Sequence, residues 1–88
     1  MARATLDIVK RFIADVCAAD PAAIQPASRL LAFGLDSVRL LDLLLSVEER
    51  FGLALSESDP ELGEVETVAD LAALIDRRLA AGAGGGPA

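Results

Sequence analysis

Histidine, tryptophan and tyrosine are missing from this chain, and cysteine occurs once, at Cys17. Without an imidazole no Ser–His or Cys–His nucleophile pair can be built, and a zinc site lacks ligands. A lone cysteine cannot close an internal disulfide, which fits a reducing compartment. The N-terminus has no long apolar stretch of the signal-peptide kind. Motifs are missing as well. G-x-S-x-G does not occur, because Gly34 lies three residues before Ser37. The acid-rich SESDPELGE does not match a calcium loop, and no glycine-rich phosphate cradle follows a strand. Glu48–Glu49 reads as a solvated face rather than a catalytic dyad. Clustered basic residues are also absent, and the net charge is −6. Residues 1–35 hold three acids against four bases, whereas 52–88 hold seven acids against Arg77 and Arg78 alone. Nucleic acid is therefore not an expected partner. A basic protein surface is the natural complement, unless the charge serves solubility only. The densest apolar run, Val38 to Val47, is broken by Arg39 and Asp42, so no bilayer insertion is expected. These absences predict a cytoplasmic, metal-free protein that is not an enzyme.

What is present is a chain of 88 residues, 53% of them apolar and rich in Ala and Leu. That composition suffices for one small core and favours helix over sheet. Leu6, Val9, Phe12, Ile13, Val16 and Cys17 recur at steps of three and four, which predicts a helix over about Thr5–Ala18 that ends at Asp20–Pro21. Cys17 falls on its apolar stripe and reads as a small buried hydrophobe. Asp20 to Leu35 is a connection of unusual length for so small a domain, and such loops are often functional. A second helix runs from Asp36 as N-cap to Phe51, with Gly52 as its stop. It is apolar almost all round, so it is either central or carries a second apolar face for a partner. Leu53 and Leu55 of the linker 52–58 can point inward. Asp59–Pro60–Glu61 opens a short helix ending near Gly63. Thr67–Asp70 forms a T-x-x-D pair ahead of a last helix, Val68 to Ala81. The fold class is all-α: three main helices plus one short one in a small bundle, with a domain over 1–81. The Gly/Ala-rich segment 82–88 is expected to be a flexible tail.

Ser37 sits in the first turn of the second helix, where side chains project to solvent beside unpaired N–H groups and the positive dipole end. Such a position suits a serine that carries a phosphodiester better than one that attacks a substrate. On local grounds alone, a serine merely tolerated in a first turn is the simpler reading.

The wider stretch GLDSVRLLDLLLSVEERFGLAL, residues 34–55, resembles the acyl carrier protein family. There the Ser of a D-S-[LMVI] motif at the head of the second helix accepts 4′-phosphopantetheine from coenzyme A. The resemblance covers nearly all of the expected domain, including Ser28–Arg29–Leu30 in the long loop, Glu48 to Gly52, and Val65 to Val68. It implies an acyl-carrier-protein-like bundle, Ser37 as attachment site, Asp36 as its N-cap and motif partner, and acyl groups held as thioesters. It also implies a phosphopantetheinyl transferase as partner, with acyl-loading and acyl-processing enzymes such as ligases or synthases. Acids along the family's second helix dock basic patches; the matching positions are Asp36, Asp42, Glu48 and Glu49. Arg39 and Arg50 depart from that pattern and leave Asp36 to Phe51 with a net charge of −2. Val38, Leu40 and Leu45 are candidates for an apolar docking patch, core packing being the alternative for Leu40 and Leu45. The expectation is a free-standing, monomeric carrier in a dedicated polyketide or specialised lipid pathway. An aminoacyl or peptidyl carrier, or an unmodified helical interaction domain, are the rival readings.

Overall fold

A computed structural model describes residues 2–55 and 59–85, and among these it contains four α-helices and no strand. Helix α1 (Ala2–Cys17) buries Val9, Ile13 and Ala14 and packs on helices α2 (Ser37–Phe51) and α4 (Val68–Gly85). Thr5, itself buried, donates its hydroxyl to Asp76 Oδ1 at 2.6 Å and pins the start of α1 to α4. The three long helices enclose Leu43, Leu44, Val47, Val68, Leu71, Leu74 and Ile75, all essentially inaccessible to solvent. Cys17 is half-buried against this core, and burial pushes its thiol pKa up, Arg39 opposing the rise.

Helix α1 closes without glycine. Ala18 adopts φ 53°, and Ala19 N–H reaches back to the Ala14 carbonyl at 2.9 Å. A side chain in this left-handed region costs about 1 kcal/mol, which glycine avoids. Ala18→Gly is therefore expected to raise the thermal midpoint by a few degrees, on the order of 0.5–1 kcal/mol, as read by circular dichroism.

The long connection is ordered by two 3-10 turns, Pro21–Ala23 and Leu30–Phe33, neither of which carries a periodic sequence signal. Asp20 caps the first by accepting the Ala22 N–H at 2.9 Å. Ile24, Leu30 and Leu35 are buried, so the loop is part of the core. It is also fastened to the head of α4. Leu30 N–H donates to the Glu66 carbonyl at 2.9 Å, Val68 N–H to Ser28 at 3.0 Å and Ala69 N–H to Pro26 at 2.9 Å. The T-x-x-D pair completes this cap: Asp70 N–H donates to Thr67 Oγ1, and Asp70 Oδ2 accepts the N–H groups of Glu66 and Thr67, each at 3.1 Å. These bonds satisfy donors that a helix leaves free at its start.

The short helix α3 (Pro60–Gly63) is capped by Asp59 and buries Leu62. Arg78 of α4 holds it from the side, donating to Asp59 and, at 2.8 Å, to Glu61 Oε1. Helix α4 continues to Gly85, past the expected end at Ala81, because Ala80, Ala81 and Ala83 propagate a helix already nucleated. Residues 56–58 of the expected linker and 86–88 of the expected tail lie outside the described residues.

The caps carry a pH signature. Arg78 holds the Asp59 carboxyl below its usual value of 3.8, and the backbone donors of Glu66 and Thr67 do the same for Asp70. A carboxylate depressed in the fold stabilises above its unfolded pKa, and that stability is lost as pH falls through the folded value. The bundle is therefore expected to keep a flat denaturation midpoint from pH 7 to about 5 and to lose stability below about pH 4. Asp59→Asn and Asp70→Asn should each make that acid limb shallower in urea titrations.

Candidate functional site

The local sequence around Ser37 forces a sharp entry into α2. Gly34 ends the second 3-10 turn at φ 74°, a left-handed conformation that glycine accepts without strain. Leu35 then plugs into the core, and Asp36 turns outward. Its Oδ1 accepts the Arg39 N–H at 2.9 Å, which makes it the N-cap. Ser37 is the first residue of α2, between the exposed Asp36 and Val38, the latter 70% exposed. The helix start supplies a positive dipole end at this position.

The near-uniform apolarity of α2 separates into two faces. Leu43, Leu44 and Val47 enter the core, with Leu40 and Phe51 half-buried beside them. Val38, Leu41 and Leu45 face solvent. Leu41 is absent from the candidates drawn from the sequence, although its spacing from Val38 and Leu45 places all three along one helix face. Leu40 lies instead against the core and lines a cavity. Glu48 Oε2 accepts the Leu55 N–H at 2.7 Å, so this carboxylate orders the chain after Gly52. Asp42 and Glu49 are exposed.

The cavity measures about 270 Å³ and lies between the long loop, α2, α3 and the head of α4. Leu30, Leu31, Leu35, Leu40, Leu62, Val65 and Leu71 give it an apolar wall. Arg29 and Glu66, paired at 3.2 Å and both exposed, provide its polar edge. Nothing in the sequence announces this space, because its walls come from four separate segments.

Among the described residues no cluster of Cys, Asp and Glu is arranged to hold a metal ion, and no helix is long and apolar enough to cross a membrane. The described hydroxyls differ in availability. Thr5 is buried on Asp76, Thr67 caps α4, and Ser28 Oγ accepts the Gln25 N–H at 3.0 Å. Ser46 is half-buried within α2. Ser37 is the first residue of a long helix and stands between exposed neighbours, a position that fits a phosphate ester.

Comparison with known proteins agrees with this geometry. The family described as "Phosphopantetheine attachment site" matches residues 7–75. An acyl carrier protein of Solidesulfovibrio magneticus is 30% identical over 71 residues, covering 80% of this chain and 88% of that protein. An acyl carrier protein of Thermosynechococcus vestitus is 31% identical over 77 residues, covering 86% of this chain and 93% of its own length. Orsellinic acid synthase of Beauveria bassiana is 35% identical over 75 residues, 84% of this chain but only 3% of that much larger protein. The chain therefore belongs to the phosphopantetheine-attachment family of carrier domains, which hold 4′-phosphopantetheine covalently and serve their enzymes without being catalysts themselves.

Proposed function

We propose that Ser37 carries the 4′-phosphopantetheine arm and that the chain delivers acyl thioesters on it to partner enzymes of a dedicated polyketide or specialised lipid pathway. The single observation that carries this reading is the place of Ser37: first residue of α2, capped by Asp36, with exposed neighbours on either side. A phosphate ester there meets the positive end of the helix, and a modifying enzyme has access to it. The tether keeps the cargo at high effective concentration near each active site. The apolar cavity of about 270 Å³ supports a hydrocarbon cargo over an aminoacyl one. Arg39 and Arg50, both exposed on α2, and the similarity to a segment of orsellinic acid synthase support a dedicated pathway. The test is incubation with coenzyme A and a broad-specificity phosphopantetheinyl transferase, followed by intact mass. A gain of one phosphopantetheine is expected, and no gain overturns the reading. The mass of protein isolated from its own host then reports the cargo.

A further inference from the structure

Arg29 and Glu66 stand at the edge of a cavity whose other walls are aliphatic. Backbone, not side chains, sets their position. Arg29 forms an isolated antiparallel bridge with Thr67, and Leu30 N–H donates to the Glu66 carbonyl at 2.9 Å. This seam between the long loop and the head of α4 brings the Arg29 guanidinium onto the Glu66 carboxylate, Nη2 to Oε1 at 3.2 Å.

The pair does little for the fold. Its side chains are 69% and 66% exposed, and ion pairs so exposed contribute little to stability. Arg78 is the contrast, its guanidinium spread over Asp59, Glu61 and the Ala54 carbonyl to fix α3. Arg29 makes no cap bond at the start of its 3-10 turn, and among the described residues its side chain bonds to Glu66 alone. Most of its N–H donors are therefore unspent at the mouth of the cavity.

We propose, resting on the assignment of Ser37 above, that Arg29 and Glu66 sort the acyl chains that the cavity accepts. Arg29 admits a chain of medium length bearing a neutral oxygen, a ketone above all, and Glu66 turns away a chain that ends in a carboxylate. A ketone accepts an N–H from Arg29 while Glu66 stays paired, which compensates its burial among aliphatic walls. A carboxylate meets the charge of Glu66 on the same edge and must displace it to reach the guanidinium. A plain hydrocarbon fits the walls and is indifferent to the pair. Volume sets the length: an apolar cavity of about 150 Å³ holds benzene, so one of about 270 Å³ suits a chain of roughly eight carbons.

Three chains of equal length are the probes: octanoyl, octanoyl with a mid-chain ketone, and octanedioyl. Each is loaded onto Ser37 from its coenzyme A thioester by the broad-specificity transferase. A chain seated in the cavity draws its thioester toward the protein and slows exchange with a small added thiol. Intact mass follows that exchange, referred to the same acyl group on free pantetheine. On the native chain, octanoyl and its ketone are expected to exchange slowly, and octanedioyl as fast as the free thioester. Arg29→Met should speed the ketone about threefold to tenfold and leave octanoyl unchanged. Glu66→Gln should slow octanedioyl by a similar factor, because the guanidinium is then open to a carboxylate. Both variants should keep the melting midpoint, since the backbone seam does not use these side chains. If Arg29→Met moves ketone and octanoyl alike, or neither, or if octanedioyl stays fast in Glu66→Gln, the proposal is overturned. Loading without slowed exchange of any chain also overturns it and leaves the Ser37 assignment standing. Loading of no chain identifies failure of the Ser37 assignment, and the sorting falls with it.

Discussion

Ser37→Ala is expected to receive no phosphopantetheine at any transferase concentration, with folding free energy unchanged within about 0.5 kcal/mol. On the assignment proposed above, the Ser37 hydroxyl is the nucleophile in the transfer from coenzyme A, so its loss is total rather than graded. The fold is expected to tolerate the change, because Asp36 supplies the N-cap of α2. Asp36→Ala separates the two roles. It removes the acceptor for the Arg39 N–H and is expected to cost about 1 kcal/mol while leaving the nucleophile in place. That variant should be modified slowly but to completion. Intact mass and urea titration read both outcomes. A gain surviving in Ser37→Ala would move the arm elsewhere, with Ser46 the next hydroxyl on α2 to test.

Leu71→Ala is expected to lower stability by about 3–5 kcal/mol, a large part of the margin of a domain this size. Leu71 is wholly buried and also lines the cavity, so its removed atoms leave space that joins a void already present. Walls drawn from the loop, α2 and α3 cannot all close inward, and the cost lies at the upper end for a leucine. Leu31→Ala is the contrast. It lines the same cavity but is 81% exposed, and its truncation should cost less than about 0.5 kcal/mol. Denaturant midpoints measure both. Equal losses would mean that the cavity wall at Leu31 bears load that its exposure conceals.

The parts of the fold legible in the sequence are those in which a side chain bonds to its own neighbourhood. Asp36, Asp59 and the Thr67–Asp70 pair cap the helices at the residues their spacing predicts. Gly34 and Gly52 turn where a left-handed residue is required. Contacts between distant segments are what periodicity does not reveal. Glu48 looks like one more surface acid until the chain after Gly52 brings the Leu55 N–H to it. Leu40 and Leu41 are indistinguishable as residue types; the helical step groups Leu41 with Val38 and Leu45, but which of the apolar faces meets the core is decided by packing. Ala18 takes a conformation that its residue type argues against. Ser37 is placed by local rules, whereas the cavity needs the assembled bundle.

The fastening of the long loop to α4 has a bearing on how the molecule comes apart. The opening residues of a helix ordinarily fray, since nothing behind them holds their N–H groups. Here Val68 and Ala69 are held by carbonyls of Ser28 and Pro26, some forty positions earlier in the chain. Thr67 and Asp70 secure only part of the last helix's beginning; the Val68 and Ala69 N–H groups find their acceptors only once the loop ahead of Ser37 has arrived, and the loop cannot lift without freeing them. The segment that delivers the chain to Ser37 and the helix on the far side of the core behave as one cooperative unit, so a disturbance at either is felt at both.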